Sequence, residues 1–339
     1  MKDMPMLAAA AIACVLTALS GLWVVPMLRR LKYGQTILDI GPNWHKKKEG
    51  IPTMGGLMFG FGITAAVVVG YFMVQGGGFY SMTHLESMRV ILGIVMTLAF
   101  ASIGFLDDYI KVVKKRNLGL TARQKLIGQF AVSGLYVLGL YMAGDTSTTV
   151  FLPFLGTLNL GIFYYPLVIL GISYVVNVVN FTDGVDGLCT SVTFVVSLGF
   201  LAVSALLQSP GMNMFAAAVA GGCVGFLIWN FHPAKIFMGD TGSFFLGGCV
   251  VAMAFGLGIP VYLVLMGAVY IIEGLTVIIQ TTYFKLTRKL TGTPKRLFKM
   301  TPIHHHFEMV GWSEGKICTI FSLVQAVFTL LAVFAVSRM

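Results

Sequence analysis

Apolar stretches of about 20 residues, long enough to cross roughly 30 Å of hydrocarbon as a helix, recur along the whole chain with short polar breaks between them. They lie near residues 5–28, 54–74, 89–107, 124–143, 160–179, 188–208, 212–229, 242–258, 261–284 and 316–336. The first is longer than a signal-peptide core and is read as a retained span. The pattern predicts an all-α polytopic membrane protein of about ten transmembrane helices, organised over 1–339 as a single integral membrane domain. Between the fourth and fifth spans, TTVFLPFLGTLNLG (148–161) alternates and carries Pro and Gly turn signals, so a short hairpin is expected there. YFKLTRKLTGTPKRLFKM (283–300) mixes basic with apolar residues and is expected to lie along the inner membrane surface. Gly258 and Pro260 are expected to break the start of the ninth span.

The charges give these spans a direction. The loops after spans one, three, five, seven and nine hold 20 of the 23 Lys and Arg residues, leaving Lys2, Arg89 and Arg338 on the other side. The excess of cations on one side places those loops in the cytoplasm and both termini outside. A chain that is 57% hydrophobic and 11% charged is not a soluble domain. Its net charge of +10 then reflects loops facing anionic lipid and anionic substrates, and no nucleic-acid partner is expected. Five cysteines, Cys14, Cys189, Cys223, Cys249 and Cys318, are scattered singly through apolar segments. They read as small buried hydrophobes, not as a disulfide frame or a metal knuckle.

Of the 13 acidic residues, Asp3, Glu86 and Asp145 fall outside, and nearly all the others fall in cytoplasmic loops or at inner span ends. IGFLDDYIKV places Asp107 and Asp108 at the inner end of the third span. Adjacent helical residues point about 100° apart, so the two carboxylates are expected to have different tasks; a solvated helix end is the plain alternative. NFTDGVDGL carries Asn180, Asp183 and Asp186, with glycines that permit close backbone approach and no cation. WNFHPAKIFMGDTGS carries Asn230, His232, Lys235, Phe237 and Asp240; its GDTGS reads equally as a helix start or as a metal-binding carboxylate beside backbone amides. WHKKKEGIPTMGG (44–56) holds Lys48 and Thr53 before a glycine pair. Finally, TPIHHHFE sets His304, His305 and His306 in a row in the last cytoplasmic loop. Consecutive side chains diverge, which makes a poor metal site, whereas imidazoles serve well as donors and acid–base groups near neutral pH. Carboxylates that bind Mg²⁺, cations that bind phosphate and imidazoles on one face together suggest phosphoryl chemistry on a diphosphate, with a lipid as the other partner.

IGFLDDY, NFTDGVDGL, NFHPAKIFMGDTGS and PIHHHFE, in this order and topology, resemble the polyprenyl-phosphate N-acetylhexosamine-1-phosphate transferase superfamily. PIHHHFE with the early PTMGG resembles its phospho-N-acetylmuramoyl-pentapeptide transferase branch in particular. The likeness runs over essentially the whole chain; GIPT for GTPT and NFTDGVDG for NLTDGLDG are its small departures. It implies transfer of phospho-MurNAc-pentapeptide from UDP-MurNAc-pentapeptide to undecaprenyl phosphate, giving lipid I and UMP, with Mg²⁺ as cofactor, on the cytoplasmic face of a bacterial membrane. It implies Asp240 as the Mg²⁺ ligand, one of Asp107 and Asp108 as a base and the other as a metal or structural partner. Asn180, Asp183, Asp186, Asn230 and Phe237 match the nucleotide and metal site, with Phe237 a stacking platform for uracil, and Lys48, Thr53 and Lys125 match positions around the phosphates. The three histidines are assigned to the substrate phosphates and local architecture, with His304 expected to face the reaction. Glu273, inside the ninth span, is expected to be paired within the protein. A related sugar-phosphate transferase and a membrane transporter remain alternatives, the latter disfavoured because its polar groups would gather near the bilayer midplane. The sequence leaves open whether two copies pair as a homodimer.

Overall fold

The computed structural model describes residues 4–30, 48, 50–76, 82–113 and 119–339. Helices follow in the order α1 (Met4–Arg30), α2 (Gly56–Gly76), α3 (His84–Val113), α4 (Ala122–Met142), α5 (Tyr164–Phe181), α6 (Leu188–Leu206), α7 (Pro210–Asn230), α8 (Gly239–Gly256), α9 (Leu263–Met266), α10 (Ala268–Thr291), α11 (Ile303–Met309) and α12 (Glu314–Val336). Among the described residues, nine helices are long and apolar enough to cross a membrane; the stretch from Pro260 through α9 passes the same test only together with α10, from which it is bent by 83°, the geometry of a broken span or a re-entrant loop. A helix satisfies its own backbone groups, which hydrocarbon cannot do for it.

Burial sorts these helices into a centre and a rim. Every residue of α8 from Thr241 to Gly256 is buried, and α7 is nearly as enclosed. α3 lies along α8, α1 lies along α7, and α2 and α5 also pack against α8. On α1 the buried positions Ala9, Ala13, Thr17, Gly21 and Val25 recur every fourth residue, one ridge of a helix, while Leu7, Leu19, Leu22 and Trp23 point outward. Small residues let the central helices touch. A Cβ at Gly104 of α3 would collide with the Asp240 carbonyl, and one at Gly56 of α2 would collide with the Gly242 backbone. Both crossings stand at the same end of α8, the end that carries Asp240.

Nine of the ten expected spans are single helices among the described residues, and the remaining one corresponds to the bent α9–α10 pair, with three differences of extent. α3 runs on to Val113, so Asp107 and Asp108 sit within its last two turns and not at its end. The ninth span is not continuous: Gly258, at φ +71°, and a 3₁₀ turn at Pro260–Tyr262 precede α9, and the sharp break follows at Gly267. α10 then continues to Thr291 and stops at Gly292 in the left-handed region, a common helix stop; the first half of the segment expected along the membrane surface is therefore the end of a long helix. The hairpin is formed as expected by β1 (Thr149–Leu152) and β2 (Gly156–Asn159), antiparallel with Thr149 opposite Asn159. Cys189, Cys223, Cys249 and Cys318 are buried thiols and Cys14 is partly buried, all unpaired.

Candidate active site

Asp108 closes the start of α8. One of its oxygens accepts the Asp240 N–H at 3.2 Å, and the other accepts the Thr241 N–H at 2.9 Å and the Thr241 hydroxyl at 2.7 Å. A carboxylate there satisfies amides that have no partner inside the helix and meets the positive end of its dipole. The neighbouring Asp107 is used differently. Its Oδ1 accepts the Leu120 N–H at 2.7 Å, and its Oδ2, with no hydrogen bond in line, lies 2.5 Å from Lys111 Nζ and 3.1 Å from Lys125 Nζ. Lys111 reaches Asp107 because α3 continues one more turn, placing the pair four residues apart on one face. Lys125 Nζ also lies 2.5 Å from Asp240 Oδ2, and the Asn180 amide donates to Asp240 Oδ1 at 3.0 Å and to the Ser243 hydroxyl at 2.8 Å.

One oxygen each from Asp107, Asp108 and Asp240 lies within 4.8 Å of the others. Carboxylate oxygens are the donors Mg²⁺ prefers, and the charges already present argue the same way. Asp183, on the loop after α5, has its carboxyl held well above the usual carboxylate range, first by burial and then by the negative charges of Asp240, Asp108 and Asp186, with Lys48 opposing. Such a surplus of negative charge is what a divalent cation relieves. The donor set fits the ion.

A second charged cluster adjoins the first. Lys48 Nζ bridges Asp186 Oδ1 at 2.6 Å and Glu314 Oε2 at 2.7 Å. The other Asp186 oxygen accepts the Ala234 N–H at 3.0 Å and lies 3.1 Å from His232 Nδ1. Burial alone would raise the Asp186 pKa, but Lys48, the Ala234 amide and His232 outweigh it and hold the carboxyl below its ordinary value. Burial likewise opposes the charge on Lys48, and its hydrogen bonds to Asp186 and Glu314 overcome it, pushing the ammonium up. The Lys48 ammonium also stands 5.9 Å above the Phe237 ring. That ring is placed by backbone pairing: Phe237 N–H donates to the Pro52 carbonyl at 2.9 Å, and Gly55 N–H donates to the Phe237 carbonyl at 2.8 Å. The glycine pair of PTMGG is explained here, since a Cβ at Gly55 would press on the Phe237 carbonyl.

The three histidines diverge along α11. His304 is fully buried, its Nδ1 lying 3.1 Å from Glu273 Oε1 and its Nε2 against Gly184, where any Cβ would collide with it. His305 Nδ1 meets Glu308 Oε2 at 2.6 Å, and His306 Nδ1 accepts the Lys299 N–H at 3.2 Å. Glu273 has the internal partner expected of it.

The structure therefore brings Asp107, Asp108, Lys125, Asn180 and Asp240 into one cluster, with Thr53 beside Gly239, and Lys48, Asp186 and Phe237 into the next. Asp183 interacts with both, and His304 abuts the loop that carries it. Asn230 stands apart from the charged groups: it is buried, accepts from the Thr190 hydroxyl at 3.0 Å and donates to the Ile236 carbonyl at 3.0 Å, bracing the loop that holds Phe237. His305 and His306 engage their own loop. Sequence reasoning missed Lys111, Thr241, Ser243 and Glu314. Lys111 had a visible signal in its three- and four-residue spacing from the two aspartates; Glu314, 266 residues from Lys48, had none.

Comparison with known proteins gives the family. Residues 88–258 match glycosyl transferase family 4, and residues 48–59, the loop that packs on Phe237, match phospho-N-acetylmuramoyl-pentapeptide-transferase signature 1. Proteins named phospho-N-acetylmuramoyl-pentapeptide-transferase are similar over nearly their whole length. That of Heliobacterium modesticaldum is 45% identical over 320 residues, covering 93% of this chain and 94% of the relative. That of Halalkalibacterium halodurans is 44% identical over 322 residues, 94% of each. That of Clostridium perfringens is 42% identical over 333 residues, 98% of this chain and 99% of the relative.

Proposed function

The chain belongs to the phospho-N-acetylmuramoyl-pentapeptide transferase family, a family of phospho-sugar transferases, and from that premise we propose its reaction and the parts its residues play. The donor is UDP-MurNAc-pentapeptide, the acceptor is undecaprenyl phosphate, and the products are lipid I and UMP. The site faces the cytoplasm of a bacterial membrane. The observation that carries this reading is the convergence of Asp107, Asp108 and Asp240 with Lys111 and Lys125 at one end of the bundle, beside a lysine poised over an aromatic ring.

Asp240 is the residue that would hold Mg²⁺, with Asp108 its structural partner at the start of α8; the ion, when bound, would neutralise diphosphate oxygens and stabilise the charge that develops in transfer. A phosphate monoester has its second pKa near about 6, so at neutral pH the lipid phosphate is already a competent nucleophile. Its oxygen attacks the β-phosphorus of the donor. The new P–O bond forms as the bond from that phosphorus to the α–β bridging oxygen breaks, and the electron pair leaves on UMP. Asp107 Oδ2 takes any residual proton, because Asp108 is committed to the α8 amides. Lys111 and Lys125 orient the phosphate oxygens. Phe237 offers a face for uracil, with the Lys48–Asp186 pair beside it.

The test uses purified protein with undecaprenyl phosphate and Mg²⁺, following UMP release and lipid product. Turnover with UDP-MurNAc-pentapeptide is expected. Preference for another UDP-sugar would move the chain to a sister activity, and absence of any lipid-linked product would end the transferase reading.

A further inference from the structure

The broken ninth span leaves backbone groups with nothing to bond inside a membrane. α9 stops at Met266 and α10 starts at Ala268 on an axis turned by 83°. The last carbonyls of one helix and the first amides of the next lose their partners there, and hydrocarbon supplies no water to replace them. The side chain of Gln325, on α12 and fully buried, reaches into this gap. Its Oε1 accepts the Val269 N–H at 3.1 Å. Its Nε2 donates to the Met266 carbonyl at 2.9 Å and the Leu265 carbonyl at 3.2 Å, with the Thr329 hydroxyl at 3.1 Å. A primary amide carries an acceptor and two N–H donors on one short stem, so one residue closes α9 and opens α10 at once.

What the bend positions is visible one turn further on. Glu273 follows Val269 by four residues on the same face, and it is fully buried against His304. His304 in turn presses its Nε2 on Gly184, next to Asp183. Further along α10, Gln280 accepts the Leu297 and Phe298 N–H groups at 3.0 Å, fastening the chain that leads to α11. The direction in which α10 leaves the break thus decides where Glu273 stands, and through it where the His304 ring stands.

We propose that Gln325 is a positioning residue for the transfer reaction: by holding the α9–α10 break it sets the Glu273–His304 contact against the Asp183 loop. The inference rests on the transferase function proposed above, which His304 enters through its contact with Gly184 beside Asp183.

Gln325→Met keeps the length and removes every polar atom, whereas Gln325→Glu keeps an acceptor for Val269. Steady-state kinetics and amide hydrogen exchange over residues 267–271 are measured for both, alone and with His304→Gln. Gln325→Met is expected to lower kcat about tenfold or more, with KM for the UDP-linked donor within about twofold, because Lys48 and Phe237 lie on other elements. Exchange should quicken in Gln325→Met and stay slow in Gln325→Glu, which also recovers part of the kcat. In the His304→Gln background, Gln325→Met should add less than about twofold, since residues acting through one another are not additive. Additive losses, or quickened exchange with unchanged kcat, would overturn the inference while leaving the transferase reading intact. Should Gln325→Met fail to fold, Gln325→Glu with wild-type exchange and a kcat no better than about one per cent of wild type would overturn it too. Wild-type turnover in His304→Gln would remove His304 from the site, and the positioning role with it.

Discussion

Asp107 and Asp108 are chemically identical side chains at adjacent positions, and the difference between them lies in what each oxygen meets. Asp108 is used up by the α8 amides, whereas Asp107 keeps one oxygen turned toward two lysines. Asp108→Asn is therefore expected to lower the melting temperature in detergent by the more, an N-terminal cap contributing about 1 kcal/mol. Asp107→Asn is expected to cut kcat about 100-fold, the cost of misplacing the Lys111 and Lys125 ammoniums that its Oδ2 holds, with the smaller effect on melting. The reverse order would exchange their roles. Asp240→Asn should abolish turnover and flatten its dependence on Mg²⁺ concentration; near-normal activity would take Asp240 out of the metal role. Asp183 gives a pH test of opposite sign to the usual aspartate. Its folded pKa is raised, so any contribution to stability is complete below the unfolded value and is lost as pH rises through the folded one. In chelator, Asp183→Asn should thus raise the melting temperature by roughly 2 °C or more at pH 8, and the gain should vanish toward pH 4, while activity is lost. The Lys48–Asp186 pair behaves otherwise. Asp186 is depressed and Lys48 raised. Their contribution therefore holds across neutral pH, fading only as pH falls below the ordinary Asp value of 3.8 or climbs past the ordinary Lys value of 10.5.

At the scale of elements, the site depends on how closely α3, α2 and α8 approach. Gly104 and Gly56 are the points of contact, each facing backbone that cannot move aside. Gly104→Ala should force α3 from α8, lowering melting temperature and activity together, as overpacking costs about 1–3 kcal/mol. Gly134→Ala on α4 is the control: its Cβ would meet nothing within 4 Å, so the protein should keep its activity and melt no lower, since Ala is the better helix former by about 0.5–1 kcal/mol. Equal effects from the two substitutions would show that helix propensity, not the crossing, is being measured. The existence of α3 and α8 was legible in the apolar pattern, because hydropathy is summed over some twenty residues and tolerates local error. The length of α3 was not. The extra residues that bring Lys111 over Asp107, DYIKVV (108–113), set two charges among apolar residues, and those charges read equally as loop.

For the whole molecule, the lysine and arginine distribution predicts which side the site faces. In intact cells, a membrane-impermeant thiol reagent should modify Ser147→Cys, on the exposed loop before β1, and should leave Lys295→Cys, after α10, unmodified until the membrane is opened. Labelling of Lys295→Cys alone would invert the topology. The number of spans, the hairpin and the expected side of each loop all come from the sequence by itself, since each follows from properties of short contiguous segments: apolar length, turn residues, charge between spans. Only the tertiary structure decided which aspartate caps α8, that Glu314 completes the Lys48 bridge, that Asn230 braces a loop, and that Glu273 is the partner of His304. The same holds for the sharp bend in the ninth span and the glutamine that fills it. These depend on side chains brought together from distant helices, where a hydrogen bond is made or lost over less than an ångström, and no local pattern in the chain carries that information. The histidine run shows the division within a single motif. Its place in the last loop of the basic side followed from the sequence, whereas the pairing of His304 with Glu273 followed from the way α11 packs against α10.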